Sequence, residues 1–131
     1  MGQPPKTTQE EYDRAEQKAL EVLWQWVADR ELDPDLEPVT YGGLSGVIGM
    51  YHFAGNFWNV LDDIDRHIDA REGPMITALV VDRYGHPGKK FFTLARKLGH
   101  KFRNKNKFWE RQRDASISWI GEHPDYLSNR G

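Results

Sequence analysis

The sequence VTYGGLSGVIGMYHFAGNFWNVLDDIDRHI, residues 39–68, predicts two consecutive helices and thereby decides the fold. Thr40 is placed to cap a first, short helix, which ends at Gly49 because glycine adopts the left-handed backbone conformation without strain. Apolar residues then recur at helical spacing and predict an amphipathic second helix over about 52–72. Its apolar face comprises Phe53, Phe57, Val60, Leu61, Ile64 and Ile68. Two helices joined by a short glycine-containing turn are typical of the helix-turn-helix unit.

The segment after these helices is the strongest strand candidate. Residues 75–81, MITALVV, form a continuous apolar run between Gly73-Pro74 and the turn YGHPG at 84–88. Residues 89–92 then either return as a short second strand or open directly into a helix. This order predicts an α+β, mostly helical fold with a winged-helix-like core, a helix-turn-helix plus a short β-hairpin, between flanking N- and C-terminal helices.

The flanking segments complete one predicted domain over residues 1–131, since no linker divides the chain. Residues 1–7 are expected to fray, and Thr8 with Glu11 forms a capping-box pattern that begins a helix over 8–30. The winged-helix-like core then spans 39–92. A basic, helical C-terminal extension over 93–122 follows it.

Part of this core resembles a known family. Thr40-Tyr41-Gly42, the helix that follows, and Pro74 leading to Val80-Val81 and a glycine turn are similar to the DNA-binding half of the alkylguanine DNA alkyltransferases and the alkyltransferase-like proteins. The resemblance covers about residues 40–88 and implies a winged helix that binds DNA. The family's reactive cysteine would fall near Met75, and the arginine that the family inserts from its recognition helix has no counterpart. Alkyl transfer is therefore excluded.

Charge is divided sharply along the chain. Residues 1–81 carry fifteen acids and six bases, whereas residues 82–113 carry eleven bases and two acids. Such asymmetry is typical of a surface that binds a polyanion. A basic helix that pairs with an acidic helix of the same fold would give the same counts, so both interpretations stay open.

The basic segment supplies most of the candidate binding residues. We expect phosphates to be met by Lys89, Lys90, Lys97, Lys101, Arg103, Lys105 and Lys107. Residues at the start of the second predicted helix are suited to a DNA groove, because histidine and asparagine bind base edges or phosphates; they are His52, Asn56 and Asn59. The later part of that helix carries several aspartates, which would repel a nucleic-acid backbone.

Other classes of function find less support in the sequence. Cysteine is absent, so a disulfide, a thiolate zinc site and a cysteine nucleophile are all excluded. No apolar run approaches the roughly 18 residues of a membrane span, and no signal pattern opens the chain, so we expect a cytoplasmic protein without a membrane partner. No familiar catalytic or ligand spacing is present, and no catalytic residue, metal or cofactor is predicted.

The leading hypothesis is a small nucleic-acid-binding protein, a regulator or accessory factor, with DNA favoured over RNA as its partner. The first alternative is a protein-interaction module, including a homodimer or an inhibitor or adaptor of a phage or defence system. The second alternative is a metal-dependent enzyme that acts on nucleotides or nucleic acid. Its candidate residues are Asp62, Asp65, His67 or His86, with Lys89.

Overall fold

Helices make up most of this computed structural model, which describes residues 8–50 and 55–129. The α-helices are α1 (Gln9–Leu32), α2 (Tyr41–Ile48), α3 (Gly55–Asp69), α4 (Lys89–Lys97), α5 (Lys105–Glu122) and α6 (Tyr126–Asn129). A 3-10 helix spans Ile76–Leu79, and the two strands are β1 (Val39–Thr40) and β2 (Val80–Val81). The fold is therefore α+β and mostly helical, as predicted.

The N-terminal helix and the first helix of the pair form as expected from their end residues. Thr8 and Glu11 make the reciprocal capping box at the start of α1. Thr40 caps α2 by accepting the backbone N–H of Gly43 at 3.0 Å, and Gly49 ends α2 with a left-handed φ of 74°. The predicted start of the second helix, including Phe53, lies outside the described residues.

The predicted β-hairpin is not formed by the described residues. Residues 76–79 coil into the 3-10 helix, and Val80–Val81 pair in parallel with Val39–Thr40. Lys89–Lys97 is helical, so the second of the two alternatives for residues 89–92 is the observed one. The small sheet thus joins the segment before α2 to the segment after α3, which is not the antiparallel pairing of a wing.

Side chains of neighbouring helices explain why residues 75–79 do not extend as a strand. The Met75 N–H donates to Gln112 Oε1 at 2.9 Å, and its carbonyl accepts from Ser116 Oγ at 3.0 Å. The Asp65 carboxylate accepts both the backbone N–H and the hydroxyl of Thr77. Buried backbone groups need partners, and here α3 and α5 supply those that a neighbouring strand would otherwise provide.

The apolar interior consists of two clusters. The larger cluster is built mainly from α1, α2 and α3 and also receives the end of α5. The smaller cluster, which we call the α4–α5 cluster, comprises Met75, Ala78, Phe91, Phe92, Leu94, Ala95 and Phe108. Residues 75–81 contribute to both, because Ile76 and Leu79 point to the larger cluster while Met75 and Ala78 point to the other.

Among residues 8–50 and 55–129, none of the helices is both long enough and apolar enough to span a bilayer.

Candidate nucleic-acid interface

Helix α4 presents a face that carries only basic and neutral polar residues. Phe91, Phe92, Leu94 and Ala95 are buried beneath it. Because α-helical residues repeat every 3.6 positions, the remaining side chains share the outer face. These exposed residues are Lys89, Lys90, Thr93, Arg96 and Lys97. No acidic residue of α4 offsets their charge.

The first turn of α4 is held in place by a buried tyrosine. Gly88, the residue that precedes α4, donates its backbone N–H to the Tyr41 hydroxyl at 2.8 Å. Burial raises the pKa of Tyr41 to about 12, so this hydroxyl stays protonated at neutral pH. Tyr41 also lies against Trp58 of α3, with ring centroids 4.9 Å apart. Helix α2 thereby positions the first two lysines of the basic face.

The turn before α4 is ordered by Asp82. Its carboxylate accepts the backbone N–H groups of Tyr84 and His86 at 2.8 and 3.1 Å, and these bonds hold the pKa of Asp82 below its usual value. Gly85 closes the turn with a φ of 85°, a conformation that favours glycine. These contacts give the turn a defined shape, which fixes the direction in which the chain enters α4.

The connection from α4 to α5 extends the basic face. Gly99 has a φ of 95° and redirects the chain after α4. Asn104 caps α5 by accepting the backbone N–H of Lys107 at 3.0 Å. Four further bases are exposed along this connection and in the first turn of α5: Lys101, Arg103, Lys105 and Lys107. The first turn of α5 contains no acid that would complement the helix dipole.

Two cations lie over aromatic rings, one in the α4–α5 cluster and one packed against it. The Arg96 guanidinium lies 4.5 Å from the centroid of Phe102, and the Lys105 ammonium lies 5.5 Å from that of Phe92. The two rings are themselves neighbours, with centroids 5.8 Å apart. Cation–π contacts of this kind fix the charges over the rings, so these faces are covered by the protein's own cations.

We define the basic surface as the eight exposed bases of α4, the connection and the start of α5. They are Lys89, Lys90, Arg96, Lys97, Lys101, Arg103, Lys105 and Lys107. Seven of them are the phosphate contacts expected from the sequence, and Arg96 shares the exposed face of α4 with three of the seven. In the part of the chain that the structure describes, the two ion pairs are His67–Glu16 and Arg113–Asp114, and neither involves the basic surface.

One edge of the basic surface faces a carboxylate of α3. Burial raises the pKa of Asp62, while the charges of Arg66, Lys97 and Lys90 act in the opposite direction. Lys90 also lies over the Trp58 ring, 5.3 Å from its centroid. Pairing between basic and acidic helices, the alternative left open by the sequence, therefore applies in part to Lys90 and Lys97.

Two of the three expected groove residues, Asn56 and Asn59, lie in the described part of the chain, and both are on α3. His52 lies outside the described residues. Asn56 accepts a hydrogen bond from the Tyr12 hydroxyl at 2.7 Å, which directs its side chain to α1. Asn59 is exposed on α3, one helical turn before Asp62 and Asp63. The structure thus gives Asn56 a role in joining two helices and leaves Asn59 beside acidic neighbours.

The residues of the enzyme alternative are also separated. Asp65 is buried against Thr77, whereas His67 Nδ1 lies 2.7 Å from Glu16 Oε1 on another side of α3. Asp62 faces Lys90 and Lys97. Across residues 8–50 and 55–129, no group of three or more acidic, histidine or cysteine side chains is arranged to hold a metal ion. These residues therefore form no metal site of that kind in the described part of the chain.

Comparison with known proteins yields no relative for this chain: no family model, no curated protein and no solved structure matches it.

Proposed function

We propose that this protein binds nucleic acid, preferentially duplex DNA, through the phosphates that its basic surface can contact. The observation that carries the proposal is the set of eight exposed bases gathered around the α4–α5 cluster, without an ion pair among the described residues. Exposed like charges repel one another, so their concentration on one side of a fold costs stability. A polyanionic partner offsets that cost.

The size of the basic surface suits a backbone contact. Proteins that neutralise six to ten phosphates lose about 10³–10⁵ in affinity between roughly 50 and 200 mM salt, because bound counterions are released on binding. Six bases remain when Lys90 and Lys97, which face Asp62, are set aside. We therefore expect a steep salt dependence and little dependence on base sequence.

The aromatic side chains favour a duplex over a single strand. Proteins that bind single strands stack bases on accessible aromatic rings. Here the rings of Phe92 and Phe102 lie beneath Lys105 and Arg96. Because cations of the protein lie over these rings, we expect the surface to bind phosphates rather than to stack bases.

Reading of a DNA groove by a helix-turn-helix, without a wing, is a secondary part of this proposal. It is supported by the succession of α2 and α3 and by the Thr40 cap that begins α2. In this mode the exposed Asn59 would approach a groove while the basic surface contacts the backbone.

The test is a charge-removal variant measured against a variant of equal charge elsewhere. In Lys101→Gln/Arg103→Gln/Lys105→Gln we expect weaker binding to a short DNA duplex and a salt slope shallower by about two to three, since each lost phosphate contact removes about 0.9 from it. Fluorescence anisotropy over a series of salt concentrations measures both. Single-stranded DNA and RNA of the same sequence serve as competitors.

The matched control is Arg14→Gln/Lys18→Gln/Arg66→Gln, which removes three exposed bases from α1 and α3. It should keep the wild-type salt slope. Equal losses in both variants, or a duplex affinity that does not change with salt, would show that the basic surface is not the binding site.

A second candidate function is self-association or docking on a protein through opposite charges. The observation that favours it is a separation of charge. The exposed side of α1, a helix that packs on the larger cluster, is acidic, whereas the basic surface lies around the α4–α5 cluster. Leu32, at the end of α1, is 91% exposed and adds an apolar contact point to this acidic side.

A further inference from the structure

A cavity of about 280 Å³ lies where the end of α1, the 3-10 helix, β2 and α5 meet. Apolar side chains such as Leu79 and Val81 contribute to its lining, and the turn before α4 reaches it at Gly85. Sites for small molecules usually measure about 300–1,000 Å³ and combine apolar walls with a few polar groups. This cavity lies just below that range.

Two tryptophans give the cavity walls of fixed orientation. The indole N–H of Trp26 donates to the Glu37 carbonyl at 2.8 Å, and that of Trp109 donates to the Ala78 carbonyl at 2.9 Å. Each ring is partly exposed. Because these hydrogen bonds anchor both indoles, a flat ligand would meet ring surfaces already in place, and little conformational entropy would be lost on binding.

The same two rings each carry an arginine. The Arg30 guanidinium lies 5.9 Å from the Trp26 centroid, and that of Arg113 lies 5.0 Å from the Trp109 centroid. Both arginines line the cavity. Arg113 contacts Asp114 through Nε at 3.5 Å, which leaves its terminal nitrogens to form other hydrogen bonds.

The charged side chains that line the cavity are positive. Among the described residues that line it, Arg30 and Arg113 are charged and none is a carboxylate. A guanidinium is a planar set of donors suited to phosphate and carboxylate groups. The lining therefore combines two anion-binding groups with two flat apolar walls.

We propose that this cavity binds a small anion that carries a flat apolar group, with Arg30 and Arg113 holding the anion and Trp26 and Trp109 contacting the flat group. Such chemistry belongs both to nucleoside monophosphates and to aromatic carboxylates. The site is separate from the basic surface, since the two share no residue.

Adenosine monophosphate and benzoate are the probes, and adenosine and benzamide are their uncharged counterparts. Binding is followed by tryptophan fluorescence and by calorimetry on the full chain. We expect saturable binding of at least one of the two anions and at least about tenfold weaker binding of its uncharged counterpart, since a charge-assisted hydrogen bond is lost. A response to adenosine monophosphate alone identifies a phosphate ligand, and a response to benzoate indicates a carboxylate.

Three variants locate the site. Arg30→Gln and Arg113→Gln should each weaken binding of the anion about tenfold or more. The control is Arg71→Gln, because Arg71 makes a comparable contact with an aromatic ring, 4.9 Å from the Tyr126 centroid, outside this cavity. Its affinity should stay within about twofold of wild type.

Thermal unfolding of each variant shows whether the protein is folded. The charge-removal variant of the basic surface should bind the anion with wild-type affinity, which separates this proposal from binding of DNA. The proposal is overturned if neither anion binds at millimolar concentration, if adenosine and benzamide bind as well as the anions, or if folded Arg30→Gln and Arg113→Gln proteins keep full affinity.

Discussion

Asp65 shows at the scale of one residue how burial changes the chemistry of a side chain. It is completely buried on α3, and its carboxylate accepts the backbone N–H of Thr77 at 3.1 Å and also the Thr77 hydroxyl. Burial raises the pKa of Asp65 to about 7, against the lowering effect of those hydrogen bonds. In the sequence Asp65 resembles a member of an acidic helix face, but in the structure its hydrogen bonds join α3 to the 3-10 helix.

This pKa predicts how stability changes with pH. The ordinary value of 3.8 applies to the unfolded chain, so the folded state binds the proton more tightly between about pH 4 and 7. The contribution of Asp65 to the unfolding free energy is fully present below about pH 4 and is lost as pH rises through 7. In Asp65→Asn, the amide resembles the protonated acid and can bond to both Thr77 groups. Between pH 4 and 8 we expect the unfolding free energy of the variant to rise by a few kcal/mol relative to that of wild type.

Urea unfolding at several pH values measures this difference. All other titrating groups are common to the two proteins, so their effects cancel. Parallel stability profiles for wild type and Asp65→Asn would show that Asp65 does not bind its proton more tightly in the folded state. The control Asp63→Asn, on the same helix but only partly buried, should leave the profile nearly unchanged.

At the scale of an element, residues 75–81 show how tertiary partners override a strand pattern. The run is apolar and rich in β-branched residues, yet its first part is a 3-10 helix that lies between α3 and α5. Ser116 of α5 is fully buried, and its hydroxyl donates to the Met75 carbonyl at 3.0 Å. This hydrogen bond ties the segment that spans both clusters to α5.

Removing that bond should destabilise the protein. Ser116→Ala removes one of two donors to the Met75 carbonyl, which still accepts the Ala78 N–H at 3.1 Å. We therefore expect a loss of about 0.5–1.5 kcal/mol of unfolding free energy, the net contribution of one hydrogen bond. Ser118→Ala removes an exposed serine from the same helix and should change stability by less than about 0.5 kcal/mol. Chemical denaturation of the two variants makes the comparison, and equal stabilities would show that the bond contributes nothing.

At the scale of the whole molecule, the charge division along the chain becomes a division in space. The basic surface surrounds the α4–α5 cluster, whereas α1 and its acids surround the larger cluster. Surfaces of opposite charge attract copies of the same chain as well as other partners. Salt screens such attraction, because the Debye length falls to about 8 Å at physiological ionic strength.

Self-association through these surfaces predicts a dimer that dissociates as salt increases. Size-exclusion chromatography with light scattering at low and high salt measures it. Lys101→Gln/Arg103→Gln/Lys105→Gln should then remain monomeric at low salt, and the Arg14/Lys18/Arg66 variant should not. A monomer at every salt concentration excludes this function and leaves the nucleic-acid proposal untouched.

Much of the local structure could be predicted from the sequence, because the signals at helix ends act over a few residues. Thr8 with Glu11, Thr40 and Gly49 mark ends that the structure confirms. The β-hairpin prediction was wrong, because the partners of Met75 and Thr77 are the distant side chains of Asp65, Gln112 and Ser116. The contact of Arg96 with the Phe102 ring could not be predicted, since it depends on how α4 packs.

The sequence by itself determined the mostly helical α+β class, the ends of its first helices and the concentration of basic residues after residue 82, because these follow from short-range spacing and composition. The tertiary structure decided where those bases lie, which aspartate is buried and how Arg30 and Arg113 come to line one cavity. Those features depend on side chains far apart along the chain, and packing alone brings them together.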